Sequence, residues 1–124
     1  PMSIMNIWLN INPPGAYNQL HNHVGATFSG VYYIHGEENQ GNIQFERNDG
    51  AEYHLPDIPD QVTYYTSSRA TYKAKTGALY IFPGWLRHSV QGNQSNTDRI
   101  SVSFNYGPDV RNWIGINKED GDVK

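Results

Sequence analysis

Three histidines and one arginine carry the chemistry that this chain can do. His21 and His23 stand one residue apart, and side chains two positions apart on an extended chain leave the same face. His88 closes the stretch FPGWLRH, just after an apolar run. Neutral imidazole is the commonest biological metal ligand, and three on one face leave coordination positions free for substrate and oxygen. Arg99 follows His88 with ten residues between them, at the head of the alternating segment RISVSF. Ser101 and Ser103 share its face, while Ile100, Val102 and Phe104 take the other. A guanidinium suits bidentate capture of a carboxylate, and a serine hydroxyl adds a hydrogen bond. His21, His23, His88 and Arg99 together read as a metal site beside an anion clamp. A strand arginine can also pair with a neighbouring acid such as Asp98, and single histidines are more often surface or core residues. His35 and His54 are read in that second way.

Strands must position these groups. Met5 to Asn12 alternates Met5, Ile7, Leu9 and Ile11 with Asn6, Trp8, Asn10 and Asn12, the period of two that marks a strand. Pro13-Pro14-Gly15 ends it, and Ala16 to His23 brings in the histidine pair. Thr27 to His35 (TFSGVYYIH) is rich in β-branched and aromatic residues. The polar turn GEENQG follows, and Asn42 to Glu46 reads as the return strand of a hairpin. Asp49 to Ser68 is expected to be an irregular loop holding a short strand at Val62 to Thr66. Ala70 to Lys75 alternates, Ala78 to Phe82 (ALYIF) reads as a buried strand, His88 to Gln91 as another, and Arg99 to Tyr106 as the last. Gly107-Pro108 stops it, and the charged tail Asn117 to Lys124 is expected to fray. Short strands between turn signals, without helical periodicity, predict a sandwich or barrel.

The 124 residues suffice for one domain with a single core. With no cysteine, disulfides, thiolate metal sites and cysteine nucleophiles are excluded, and a cytoplasmic location fits. No apolar run reaches the roughly 20 residues of a membrane-spanning helix. A net charge of -3 and the lack of a basic cluster argue against nucleic-acid binding. The opening Pro1-Met2, close to a strand, fits a fragment or processed product with an upstream segment.

In order, HxH, SGVYYI, GALYIFPGWLRH and RISVSFN resemble the iron(II)- and 2-oxoglutarate-dependent oxygenases. The likeness is nearest to an oxygenase family of phages and bacteria, with its pattern H-x-H…SGVYY…FP…H…R-x-S, and it runs from Trp8 to Tyr106. The resemblance implies an all-β double-stranded β-helix, a jelly-roll, cupin-like barrel with the metal near its open end. His21, His23 and His88 would hold Fe(II), and Arg99 with Ser101 would hold the far carboxylate of 2-oxoglutarate, joined by Tyr33. Oxygen and an unidentified substrate, for which a peptidyl one is an option by analogy, would complete the reaction, a hydroxylation releasing succinate and carbon dioxide. In most of the wider superfamily the second ligand position is Asp or Glu; His23 in its place makes the protein's share of the site one charge unit more positive.

Two other readings stay open. Gly15-x5-His21-x-His23 and Gly77-x5-Pro83 resemble the cupin motifs, with Thr27 where a glutamate is expected. That likeness implies a three-histidine metal protein without 2-oxoglutarate, which has no use for Arg99 and Ser101. A non-enzymatic jelly-roll binding module, with Trp8 and Trp85 making contacts, would need no metal. Trp85 and the Asp49 to Ser68 segment are the expected border of the entrance.

Overall fold

A computed structural model describes residues 1–47 and 67–108 of the chain. Eight strands run in order: β1 (Met2–Asn12), β2 (Asn18–His21), β3 (Phe28–His35), β4 (Ile43–Glu46), β5 (Arg69–Tyr72), β6 (Leu79–Pro83), β7 (Arg87–Val90) and β8 (Arg99–Pro108). They build two four-stranded sheets, ordered β1-β8-β3-β6 and β2-β7-β4-β5, with every pairing antiparallel. The chain crosses between sheets at almost every connection, which winds it into the expected double-stranded β-helix.

The strand expectations hold to within a few residues, with two corrections. Asn42 to Glu46 is not the return strand of a hairpin with β3. β4 lies in the opposite sheet, between β5 and β7. The GEENQG turn, with Asn39 at φ 66° and Gly41 at φ 89°, carries the chain across the sandwich rather than back along its own sheet. Nor is β6 buried throughout, since Leu79 and Ile81 are exposed and only Phe82 is fully covered. The expected Val62 to Thr66 strand and the tail from Asn117 lie outside the described residues.

The core sits between the sheets: Val31, Tyr33 and Phe82 from one, Ile43 and Phe45 from the other, with Ala74 beside them. Phe45 meets Phe82 edge-on, centroids 4.8 Å apart, a favoured aromatic geometry. The apolar row of β1 lies outside this core. Met5, Ile7, Leu9 and Ile11 are 43–63% exposed, alongside Phe28, Tyr32, Ile34, Leu79 and Ile81 of the same sheet. The polar row of β1, Trp8, Asn10 and Asn12, faces inward instead and lines a cavity. Period two says which residues share a face; it does not say which face is inside.

These burials set opposite costs for two truncations. Phe45→Ala should lose about 3–5 kcal/mol of unfolding free energy, and Ile7→Ser less than about 1 kcal/mol, read from urea midpoints. Equal losses would contradict the outward placing of the β1 apolar row.

Candidate metal centre and anion pocket

His21 is the last residue of β2, and its Cα partner across the ladder is His88 in β7. His88 also faces Phe45 of β4 on its other side and is almost wholly buried. His23 lies two residues past His21, where its N–H donates to the carbonyl of Gly84 at 2.8 Å. That bond ties the end of β2 to the Pro83-Gly84 turn. The three rings converge, with centroids 4.3 Å apart for His21 and His88, 5.0 Å for His23 and His88, and 5.1 Å for His21 and His23. One ligand atom from each lies within 4.8 Å of the others.

Their hydrogen bonds decide which nitrogens are free. His21 Nδ1 lies 2.7 Å from the Gln19 carbonyl and His88 Nδ1 lies 3.0 Å from that of Leu86. A carbonyl oxygen only accepts, so both rings donate from Nδ1 and keep the Nε2 lone pair. His23 Nδ1 is 2.5 Å from the Asn105 side-chain oxygen. Burial lowers the pKa of His88 to about 4, helped by His21 and His23 and opposed by the Leu86 carbonyl. His88 is therefore neutral at pH 7 and available as a ligand. A set of three imidazoles, each with an acceptor beside Nδ1, fits a divalent transition metal.

Arg99 opens β8 and is 1% exposed. Its Nη1 donates to the carbonyls of Gln40 (2.6 Å), Gly41 (3.3 Å) and Gln91 (3.4 Å). Gly41 has to be glycine twice over: its φ is 89°, and a Cβ there would collide with the Gln91 carbonyl and press on the guanidinium. Gln40, fully buried, holds this corner by donating to Thr97 Oγ1 at 2.9 Å and accepting from Glu37 N at 2.9 Å. Burial also lowers the pKa of Arg99, against the opposing pull of Tyr33. It pushes the Tyr33 hydroxyl up to about 12, with Arg99 working the other way. Tyr33 is thus a neutral hydroxyl at pH 7.

The inner face of β8 reads Arg99, Ser101, Ser103. Across the ladders Asn12 faces Arg99, Asn10 and Tyr33 face Ser101, and Trp8 and Val31 face Ser103. Asn10 Nδ2 donates to Ser103 Oγ at 2.8 Å and more weakly to Ser101 Oγ at 3.4 Å. One cavity of about 530 Å³ is lined by all six residues that the sequence nominated: His21, His23, His88, Arg99, Ser101 and Tyr33. No Asp or Glu is among its described lining residues. His35 lies apart, 3.3 Å from Glu37, and His54 is outside the described residues. Trp85 is 60% exposed and does not line the cavity; Trp8 and Tyr17 do. Most of the Asp49 to Ser68 segment lies outside the described residues.

Sequence reasoning missed the carbonyl seat of Arg99 and the amides of Asn10 and Asn105. The asparagine row of β1 was a readable signal, since three asparagines on one strand face are poor strand formers without partners.

The family described as "Putative 2OG-Fe(II) oxygenase" matches residues 6–105. The chain belongs to this family. No curated protein matches it. Among solved structures, the chain is similar to a 2OG-Fe(II) oxygenase family oxidoreductase from Burkholderia pseudomallei, with TM-score 0.67 and 14% identity over 86% of this chain and 45% of that one. It is similar to a prolyl-4-hydroxylase from Pseudomonas putida, with TM-score 0.59 and 16% identity over 82% and 51% of the two chains. It is also similar to HygX from Streptomyces hygroscopicus, solved with iron bound, with TM-score 0.62 and 10% identity over 88% and 59%. At these identities the likeness is one of fold. The chain spans about half the length of these structures.

Two tests follow from the site's own geometry. The unfolded His88 titrates near pH 6.5 and the folded one near 4, so falling pH protonates the unfolded chain first. The metal-free protein should lose up to about 3 kcal/mol between those values through His88, and His88→Gln should flatten that part of a urea-midpoint profile. Gly41→Ala should cost about 1–3 kcal/mol through its left-handed backbone, seen as a lower thermal midpoint.

Proposed function

We propose that residues 1–124 form one catalytic domain that hydroxylates a substrate carbon using Fe(II), 2-oxoglutarate and oxygen. The observation that carries this is the sharing of one cavity by the three-histidine cluster and the buried Arg99. His21, His23 and His88 would hold the metal. Iron(II) with 2-oxoglutarate supplies the oxidising power, one oxygen atom passing to the substrate C–H bond and the other to succinate as carbon dioxide is lost.

The chain's own residues bind and orient. Arg99 holds its charge with no described carboxylate beside it, so an incoming carboxylate would find the guanidinium's remaining donors unneutralised. Tyr33, pinned neutral, can donate its phenolic proton to the same carboxylate. Ser101, Tyr33's partner across the ladder, offers a hydroxyl from the next strand. Three neutral ligands leave the full charge of a divalent ion to meet a dianion, which offsets the missing acidic ligand. Val31, Ile43, Phe82 and Val90 give the cavity an apolar wall. Asn18, Gln19, Trp8 and Tyr17 also line the cavity and suit a neutral, amide-bearing substrate such as a peptide.

Anaerobic addition of Fe(II) and 2-oxoglutarate to metal-free protein tests this through the visible charge-transfer band of the chelated cosubstrate. Wild type should show the band and His88→Ala should not. Arg99→Ala should need about 10- to 150-fold more 2-oxoglutarate, the worth of a charged hydrogen-bonded contact. Metal binding without a band would favour the cupin reading, and no metal binding the non-enzymatic one.

A further inference from the structure

Of the three imidazoles, His23 alone is oriented by a side chain rather than by a backbone carbonyl. Its partner Asn105 sits on the inner face of β8, with Asn6 of β1 and Ser29 of β3 as its neighbours across the two ladders. Asn105 Nδ2 donates to Asn6 Oδ1 at 3.0 Å. Ser29, fully buried, donates its hydroxyl proton to Asn105 Oδ1 at 2.7 Å. The amide is thereby turned so that its oxygen faces the ring, 2.5 Å from His23 Nδ1. Ser29 Oγ, its proton already given to Asn105, lies 3.1 Å from the same nitrogen and can only accept from it. Both neighbours of Nδ1 are acceptors, so the proton belongs on Nδ1. His21 stacks on the ring at 20° and Trp8 lies 6.2 Å away, which fixes its plane.

We infer that Asn105, backed by Ser29 and Asn6, is a positioning residue that holds His23 as the Nδ1–H tautomer and leaves its Nε2 lone pair for the metal. The inference rests on the metal reading proposed above. A carboxylate ligand has no tautomer to set; an imidazole in its place does. An imidazole at position 23 therefore creates a requirement, and the Asn6–Asn105–Ser29 row meets it. In the opposite amide orientation Nδ2 would donate to Nδ1, and the ring proton would sit on Nε2 and block ligation.

Long-range proton–nitrogen correlation spectra of the metal-free chain at pH 8 read the tautomer directly. Wild type should show His23 protonated at Nδ1, and Asn105→Leu should shift it toward Nε2–H. In Co(II) titrations Asn105→Leu should bind 10- to 100-fold more weakly, the usual penalty for losing a ligand's outer partner, while Asn105→Asp, still an acceptor, should stay within about threefold of wild type. His23 protonated at Nε2 in wild type would overturn the inference without recourse to any variant. So would an Asn105→Leu protein whose tautomer and Co(II) affinity are unchanged. A wild-type chain that shows Nδ1–H but takes up no Co(II) would sink the metal reading while supporting Asn105's hold on the ring.

Discussion

A guanidinium buried to 1% exposure without a described carboxylate beside it is the constraint on which this structure turns. Removing a charge from water costs several kcal/mol even after relaxation. Here the offset comes from three backbone carbonyls on one nitrogen of Arg99. Carbonyls can converge only if the chain turns tightly around the cation, which is why Gly41 lies at φ 89° and Gln40 is sealed inside. Asn93 braces the far side, donating to the carbonyls of Asn12 at 3.0 Å and Thr97 at 2.8 Å. Partial dipoles steady the cation without neutralising it. The charge stays available to an anion.

From that fixed point β8 works as an axis. Its inner face runs Arg99, Ser101, Ser103, Asn105, so one strand spans from the anion clamp to the residue that faces His23, roughly 20 Å at strand spacing. Neighbouring strands answer it rung by rung with Asn12, then Asn10 and Tyr33, then Trp8 and Val31, then Asn6 and Ser29. Two small serines at the middle rungs leave the room that the cavity occupies. The other sheet contributes His21 and His88, already opposed across a ladder.

Part of this was legible from spacing, because a period of two converts sequence separation into shared faces, as for Arg99, Ser101 and Ser103 on β8. The link from His88, on β7 of the other sheet, to Arg99 and Ser101 came from the likeness to the family pattern and not from periodicity. Three things were not legible. GEENQG has the composition of a hairpin turn, but turn chemistry does not say whether the next strand joins the same sheet or the opposite one. The alternation of β1 is symmetric between inside and outside, and here the cavity claims the polar row. The seat of Arg99 is made of carbonyls, which every residue has, so the identities of Gln40 and Gln91 gave no warning. Asn105 stood in plain view within RISVSFN, but its partner His23 lies 82 positions away.

β2 is the least secured part of the frame. All four of its residues are exposed, it lies at a sheet edge, and its pairing with β7 is irregular between Asn18 and His21. It buries almost nothing that would hold it by hydrophobic contact. In the proposed site a metal ion would join His21 to His88 across that pairing, between segments far apart in sequence, as a reversible staple closing a long loop. Loading the ion and fastening the edge strand would then be a single event. The residues that serve the chemistry would also be the hinge pin of the barrel, so a chelator would act on this chain as a mechanical reagent as much as a chemical one.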